Sequence, residues 1–170
     1  MSASGHRLFV ALWPTDELRR AMEERTRPYA ASGRPIPAAN LHLTLAFLGS
    51  VPDSRIDDAR VAIANVAVQP FGIVLKELQW WQSQALVCWA PEPSAALLEL
   101  VQRLHSALRS NGFELEDRAF KAHVTVVRDA YDKPELKPIS ELRWQVQTIE
   151  LIESRRPSND RSAGSVYRIF

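Results

Sequence analysis

The sequence predicts an α+β protein built from two pseudo-symmetric lobes. Two apolar, strand-like segments carry the same short pattern, His42-Leu43-Thr44-Leu45 and His123-Val124-Thr125-Val126. The copies lie half a chain apart, and helix-like and strand-like segments follow one another around them in a loosely repeated order. Side chains two positions apart on a strand point to the same face, so each copy presents an imidazole and a hydroxyl together. We therefore expect a duplicated fold in which both motifs line one cleft.

Apolar periodicity and turn signals predict seven strands and three helices along the chain. The first helix takes Thr15 as its N-cap and ends between residues 33 and 37, and Asp53 opens the second helix. The third helix follows Pro93 and stops at Asn111-Gly112. The strands are expected at residues 7–13, 41–48, 71–78, 85–89, 122–127, 144–152 and 166–170.

The composition indicates an ordinary globular protein. The 170-residue chain is 46% hydrophobic and 24% charged, so it has enough apolar side chains for a sizeable core. We therefore expect residues 1–170 to form one domain made of two intertwined lobes. The apolar side chains of the motif strands should point into this core, namely Leu41, Leu43, Leu45, Phe47, Val124 and Val126.

The chain carries no sequence signal for a membrane or for secretion. No apolar run approaches the roughly 20 residues that a membrane-spanning helix needs, and the apolar run at residues 8–12 is too short for a secretory signal. Cys88 is the only cysteine, which excludes an internal disulfide and a multi-cysteine metal site. Its apolar neighbours indicate a buried core thiol rather than a nucleophile. We expect a cytoplasmic protein that does not contact membranes.

Basic residues are unevenly distributed, although the net charge is only +1. Arg118, Lys121 and Arg128 surround the second motif, where a local positive potential can attract phosphate. A second basic group lies in the C-terminal segment and consists of Arg155, Arg156, Arg161 and Arg168. For this second group, a solvated basic surface and a phosphate-attracting patch are equal alternatives.

Two His-x-Thr pairs on one cleft suit acid–base chemistry on a phosphate ester. A single His-x-Thr is uninformative, but two matched copies on apolar strands should be rare. Histidine changes its protonation near neutral pH, so one imidazole can accept a proton while the other donates one. Threonine hydroxyls can donate hydrogen bonds to the non-bridging oxygens of the phosphate. Hydrolysis of a phosphodiester by these groups requires no metal.

A metal site is the competing interpretation of the two histidines, beside the view that they are ordinary strand residues. Two imidazoles are too few for a tight zinc site without carboxylates or cysteines beside them. Neither motif carries an adjacent acid, since Asp129 lies six residues beyond His123. The other histidines, His6 and His105, look incidental. We therefore predict that the protein holds no metal.

The motifs and their surroundings resemble the 2H phosphoesterase superfamily, and within it the RNA 2′,3′-cyclic phosphodiesterases that are also described as 2′–5′ RNA ligases. The similarity spans nearly the whole chain. It includes residues 40–49 (NLHLTLAFLG) and 120–128 (FKAHVTVVR) at the motifs, with 7–12 (RLFVAL) and 164–168 (GSVYR) near the two ends. The resemblance implies two antiparallel-sheet lobes with outer helices and a central cleft, and no cofactor. We expect the protein to be a monomer.

The resemblance also implies a reaction and a role for each site residue. RNA ends that carry a 2′,3′-cyclic phosphate, or cyclic nucleotides, would be the substrates, and the product would keep a 2′-phosphate. His42 would protonate the leaving O3′, and His123 would accept the proton of the attacking water. The phosphate oxygens would be held by Thr44, Thr125 and Arg128. Arg128 has the opposite strand alternation to the other motif residues, so it reaches the cleft only if the strand ends or bulges after Val127.

Three other activities stay open on the same residues. The scaffold could act mainly on small cyclic nucleotides or in reversible 2′–5′ ligation, and the sequence does not separate these from hydrolysis of RNA ends. A non-catalytic module that binds RNA ends is the third. The presence of both histidines and both threonines favours an enzyme, because binding alone needs no proton donor and acceptor.

Overall fold

A computed structural model describes residues 5–155 and 164–170, which form nine β-strands and three α-helices. The strands are β1 (Gly5–Leu12), β2 (Arg34–Pro35), β3 (Leu43–Pro52), β4 (Phe71–Trp81), β5 (Leu86–Pro91), β6 (Val124–Arg128), β7 (Leu142–Val146), β8 (Glu150–Arg155) and β9 (Val166–Ile169). The helices are α1 (Asp16–Thr26), α2 (Ile56–Ala64) and α3 (Ala95–Ser110). Among these residues, no helix has both the length and the hydropathy that a bilayer-crossing span requires.

The strands pair antiparallel and form two similar halves of one sheet. The strand order is β7-β4-β5-β6-β3-β1-β8-β9, and the short β2 pairs with β6. The motif strands β3 and β6 are innermost, and in the described part of the chain their ladder consists of one pair, Leu43 with Val124. Each half therefore brings its motif strand to the boundary with the other half. This arrangement confirms the predicted α+β fold with two antiparallel lobes.

Two of the helices, α1 and α3, begin at capping side chains and contact the opposite half of the sheet. Thr15 accepts a hydrogen bond from the backbone nitrogen of Leu18 at 3.2 Å, which confirms the predicted N-cap of α1. Ser94 caps α3 in the same way, accepting from the nitrogen of Leu97 at 3.2 Å. α1 follows β1 in sequence but contacts β7 of the other half, whereas α3 follows β5 and contacts β3. One hydrophobic core consequently includes buried side chains from both halves.

The predicted helix boundaries are wrong at two points. α1 ends at Thr26 rather than between residues 33 and 37, and the 3₁₀ helix Arg27–Ser32 follows it. Pro28 explains the change, because proline clashes with the preceding turn of an α-helix and lacks the N–H that the helix needs. The second helix is preceded by a 3₁₀ turn, Asp53–Arg55, so its α-helical part begins later than expected.

Two predicted strands also differ from the structure. Gly49 does not close the first motif strand, because its left-handed φ of +70° is accommodated inside β3, which continues to Pro52. The strand expected at residues 144–152 is in fact two strands, β7 and β8, which belong to different halves of the sheet. A single strand-like segment thus conceals a break that depends on the partners of each strand.

Both motif strands contain a β-bulge three residues after the histidine. The extra residue is Leu45 in the pairing of β3 with β1, and Val126 in the pairing of β6 with β5. A bulge reverses the side-chain alternation that follows it. Phe47 was expected in the core but is 47% exposed on the cleft side, and Arg128 reaches the cleft by the same shift. The other apolar residues of this prediction are buried, as expected: Leu41, Leu43, Leu45, Val124 and Val126.

Candidate active site

The five residues with a predicted site role line one narrow cavity between the motif strands. His42 directly precedes β3 and Thr44 lies within that strand. His123 directly precedes β6, which contains Thr125 and Arg128. The bulge that brings Arg128 to the cavity lies at Val126, slightly earlier than the position the sequence required.

The single pair between β3 and β6 determines how the motifs face each other. In an antiparallel ladder, the residues that flank a pair also lie opposite each other. The register therefore sets His42 across from Thr125 and Thr44 across from His123. The two imidazoles occupy one diagonal of a four-residue square, and the two hydroxyls occupy the other. A small anion placed between the strands could contact all four side chains.

Each motif imidazole is oriented by a backbone carbonyl two residues upstream. Nδ1 of His42 donates to the carbonyl oxygen of Asn40 at 2.7 Å, and Nδ1 of His123 donates to that of Lys121 at 2.9 Å. Because Nδ1 carries the hydrogen, Nε2 of the neutral ring has a lone pair. The Thr44 hydroxyl donates to Nε2 of His42 at 3.1 Å. Each histidine thus offers Nε2 as the atom that accepts or, once protonated, donates a proton.

Three aromatic rings enclose the imidazole of His42. Trp13 stacks on it with ring centroids 5.5 Å apart and an interplanar angle of 12°. Tyr167 meets it edge-on at 5.1 Å, and Phe9 lies 4.9 Å away. Burial lowers the pKa of His42 to about 4, with a smaller contribution from the positive charge of Arg128. In the absence of a bound anion, His42 is therefore neutral at pH 7.

The second motif histidine has one tryptophan against it and a basic surrounding. The rings of Trp81 and His123 are 4.6 Å apart, and Nζ of Lys121 lies 4.0 Å from the centroid of the Trp81 ring. Burial lowers the pKa of His123 below its ordinary value, and the positive charges of Arg128, Arg118 and Lys121 lower it further. The basic group predicted around the second motif is thus confirmed.

The narrow cavity adjoins a larger cavity on each side. The cavity that includes His42 has a volume of about 800 Å³, and the one that includes His123 has a volume of about 390 Å³. Thr44, Phe47 and Arg128 line both. Phe47 and Arg128 each lie five positions after a motif histidine, so they are equivalent positions in the two halves. The site is therefore symmetric in its imidazoles and hydroxyls, but one half supplies an aromatic ring where the other supplies a cation.

The remaining histidines have structural partners. His6 hydrogen-bonds Glu153 at 2.5 Å through Nδ1 and Asp53 at 2.6 Å through Nε2. His105 borders the smaller cavity, but its Nε2 donates to the carbonyl oxygen of Leu45, the bulged residue of β3, at 2.9 Å. His105 thus supports the bulge that turns Phe47 toward the cleft.

Other sequence features of interest lie away from the narrow cavity. Cys88 is a buried free thiol, as predicted, and burial raises its pKa to about 12. In the basic C-terminal group, Arg155 pairs with Glu153 and Arg168 lies near the ring of Phe170. The other members, Arg156 and Arg161, lie outside the described residues. Within residues 5–155 and 164–170, no three His, Cys, Asp or Glu side chains are placed to bind one metal ion.

Sequence reasoning missed the aromatic part of the site. It assigned Phe47 to the core and gave no role to Trp13, Trp81 or Tyr167. Tyr167 reaches His42 partly because the Asn40 side chain donates to the carbonyl oxygen of Ser165 at 2.9 Å, which ties the segment before β9 to the segment before β3. Trp13 follows the last residue of β1 and Trp81 is the last residue of β4, and strand alternation assigns no face to such terminal positions.

Comparison with solved structures identifies the fold. A crystal structure of a phosphoesterase superposes with a TM-score of 0.86 at 26% sequence identity, covering 98% of this chain and 95% of that chain. The crystal structure of Escherichia coli LigT complexed with 3′-AMP superposes with a TM-score of 0.83 at 26% identity, with the same coverage of the two chains. The duplicated antiparallel fold with its central cleft is therefore that of a 2H phosphoesterase.

Sequence comparison identifies the family within that class. The chain belongs to the LigT like phosphoesterase family, whose model matches residues 12–89 and again residues 88–159. The RNA 2′,3′-cyclic phosphodiesterase of Escherichia coli is 30% identical over 78% of this chain and 77% of its own length. The RNA 2′,3′-cyclic phosphodiesterase of Thermus thermophilus is 28% identical over 96% of this chain and 87% of its own length. The double match also confirms the predicted duplication.

Proposed function

We propose that this protein hydrolyses RNA ends carrying a 2′,3′-cyclic phosphate to 2′-phosphates, by metal-independent catalysis with two histidines. The observation that carries the proposal is the pair of imidazoles that share one narrow cavity, each with Nδ1 donating to a backbone carbonyl, which leaves Nε2 as the atom that exchanges a proton. The relatives named RNA 2′,3′-cyclic phosphodiesterase supply the substrate class. We further propose that residues 1–170 act as one catalytic unit, since both halves line the cavity, and that this unit is a monomer.

The proposed reaction is a displacement at phosphorus by water. Nε2 of His123 accepts a proton from the water as its oxygen bonds to phosphorus. The bond from phosphorus to O3′ breaks, and protonated Nε2 of His42 gives its proton to O3′. The product has a 2′-phosphate and a free 3′-hydroxyl. The proton gained by His123 and the proton lost by His42 are then exchanged with solvent, which restores the starting state.

The phosphate oxygens are held by the two threonine hydroxyls and by Arg128. The hydroxyls lie on the second diagonal of the square formed by the motifs, so they can donate to oxygens that are not attacked and do not leave. Arg128 adds a positive charge beside the same cavity, where negative charge is held in the transition state. None of these contacts requires a metal ion or a cofactor.

The proton-donor role of His42 requires a bound anion. Burial holds its pKa at about 4 without substrate, so the ring must gain its proton as the negatively charged phosphate enters the cavity. An opposite charge within hydrogen-bond distance favours the protonated ring and counteracts the burial. We propose that substrate binding and protonation of His42 are coupled in this way.

The test is incubation of the purified protein with an oligoribonucleotide that ends in a 2′,3′-cyclic phosphate, with EDTA present. We expect turnover to a 2′-phosphate, identified by phosphorus NMR and by resistance to a 3′-specific phosphatase. His42→Ala and His123→Ala serve as inactive controls. Activity that disappears in EDTA and returns with a divalent ion would refute the metal-free mechanism. A 3′-phosphate product would reverse the assigned proton roles, and binding without turnover would indicate a module that only binds RNA ends.

A further inference from the structure

The larger cavity, on the His42 side, is lined by arginines in addition to the one placed for the reacting phosphate. Its charged lining consists of Arg7, Arg34, Arg118, Arg128, Glu114 and Glu116. Glu116 is paired with Arg118 at 2.6 Å. A 2′,3′-cyclic mononucleotide has one negative charge, located on the phosphate that reacts. Of the four arginines, Arg128 also lines the narrow cavity between the histidines, so it is the one placed for that charge. The charge of Arg34 has no counterpart on such a small substrate.

Arg34 is held beside Arg128 by the backbone. β2 pairs with β6 so that Arg34 lies directly opposite Arg128, and the nitrogen of Ile36 donates to the carbonyl oxygen of Val126 at 2.8 Å. A Cβ on Gly33 would lie 2.3 Å from the carbonyl oxygen of Arg128, so glycine permits this close approach. Like charges directly opposite on neighbouring strands repel each other. The chain thus places two arginines next to each other in the lining of the larger cavity, and Asp129, the partner of Arg34, offsets part of their repulsion.

The guanidinium of Arg34 is oriented by one hydrogen bond and has further donors available. Its Nε donates to Oδ2 of Asp129 at 3.0 Å, and 47% of the side chain is exposed. Within the part of the chain that the structure describes, its two terminal nitrogens make no hydrogen bond. An arginine held through Nε with its terminal nitrogens available is suited to a phosphate, since these nitrogens form a fork that matches two phosphate oxygens.

The direction of the RNA follows from the proton roles, so this step rests on the proposed function. His42 protonates O3′, which belongs to the terminal ribose, and the 2′-oxygen of the same ribose keeps the phosphate. The terminal nucleoside and the chain on its 5′ side therefore lie on the His42 side, in the larger cavity that Arg34 lines. Water approaches from the His123 side, through the smaller cavity.

We propose that Arg34 binds the phosphodiester on the 5′ side of the terminal nucleotide. This contact makes the protein selective for RNA chains of two or more nucleotides over 2′,3′-cyclic mononucleotides. Arg34 is then a specificity residue for the length of the substrate, whereas Arg128 serves the reacting phosphate of every substrate.

The test compares two substrates that differ by one nucleotide, uridine 2′,3′-cyclic phosphate and the dinucleotide UpU with a terminal 2′,3′-cyclic phosphate. We expect the wild-type protein to have the higher kcat/KM on the dinucleotide. Arg34→Gln should lower kcat/KM on the dinucleotide about 10-fold, the size of a charge-assisted hydrogen bond at an exposed site. It should leave kcat/KM on the mononucleotide unchanged. Arg143→Gln is the matched control, because Arg143 is also an exposed, ion-paired arginine but lies on β7 at the sheet edge.

A third substrate, also a dinucleotide with a terminal 2′,3′-cyclic phosphate, tests the contribution of the charge on the internal phosphate. In this dinucleotide the internal linkage is an uncharged methylphosphonate. The wild-type protein should lose the same factor on it as Arg34→Gln loses on the normal dinucleotide, and the variant should lose nothing further. The dinucleotide preference of the wild type should also decrease as salt is raised, because the additional contact is a charge contact.

Three results would overturn the proposal. The first is equal kcat/KM of the wild type on the mononucleotide and the dinucleotide. The second is a variant that loses the same factor on both, which would show a purely structural role in holding β2 against β6. The third is a kcat/KM on the methylphosphonate dinucleotide that is lower for Arg34→Gln than for the wild type. If the proposed function itself is wrong, the wild type will turn over none of the three substrates, and this result differs from all three above.

Discussion

Leu43 pairs with Val124 across the boundary between the two halves, and each residue directly follows a motif histidine. Both side chains are completely buried, so this pair anchors the motif strands from the core side. The same register sets each histidine opposite the threonine of the other motif on the cleft side. A pseudo-twofold axis therefore passes beside this pair. The acid–base arrangement of the cavity is a direct consequence of one antiparallel contact.

Removing either motif histidine should abolish most of the turnover. We expect His42→Ala and His123→Ala each to lower kcat by about 10²–10⁴-fold, the usual contribution of one general acid or base. Thr44→Ala and Thr125→Ala should cost less, about 10–10³-fold, because other donors still hold the phosphate oxygens. His6→Ala is the control, since its partners are Glu153 and Asp53, away from the cavity. Near wild-type turnover in either motif-histidine variant would remove that histidine from the mechanism.

The pH dependence should differ between the free and the substrate-bound protein. Both histidines have pKa values below 6.5 when no anion is bound, chiefly through burial. One must be protonated and the other neutral, so kcat/KM should follow a bell with its maximum below pH 6.5. Bound phosphate raises both pKa values, so the profile of kcat should lie at higher pH. Coincident profiles with a maximum above neutral pH would contradict this coupling.

Trp13 and Trp81 should each affect the pKa of a different histidine. Trp13 stacks on His42, so Trp13→Ala exposes that ring to water and should raise its pKa from about 4 toward 6.5. The pKa of His123 should not change, because its neighbour is Trp81. Trp81→Ala is the reciprocal control and should raise the pKa of His123 alone. NMR titration of the imidazole signals measures both. An equal response of the two histidines to either variant would show that the aromatic contacts do not act locally.

The bulge in β3 predicts a contrast between two neighbouring apolar residues. Leu45 is buried, so Leu45→Ala should lower the free energy of unfolding by about 2–5 kcal/mol. Phe47 lies on the cleft side and is half exposed, so Phe47→Ala should cost less than about 1 kcal/mol. Chemical denaturation measures both changes. Equal losses would mean that Phe47 packs in the core, as uninterrupted alternation requires.

Protonation of His6 should stabilise the fold at low pH. Its hydrogen bonds to Glu153 and, secondarily, to Asp53 raise the pKa of His6 above its ordinary value. A raised pKa means that the stabilisation is complete below about pH 6.5, the unfolded value, and is lost as pH increases through the folded-state pKa. The difference in free energy of unfolding between the wild type and His6→Gln should therefore shrink as pH increases from about 5.5 to about 8.5, a range that spans the ordinary pKa of histidine. A difference that is constant over this range would exclude the linkage.

Local properties of the sequence determined the N-cap of α1 and the faces of the motif residues. Thr15 caps its own helix through a contact three residues away, and Leu43 and Val124 alternate with the histidines and threonines on either side of them. Such features depend on the chain's own periodicity, so they can be derived without knowing the partners of each strand. The two matched motifs, half a chain apart, also indicated the duplication, because each copy of the repeated unit contributes one motif to the shared cleft.

The tertiary structure decided the features that depend on a partner strand. The bulges at Leu45 and Val126 arise in pairing with β1 and β5, and they alone turn Phe47 and Arg128 toward the cleft. The break between β7 and β8, and the aromatic rings around His42, likewise depend on elements distant in sequence. Alternation with a period of two cannot reveal an extra residue in a ladder, because the extra residue is defined only by what lies opposite it.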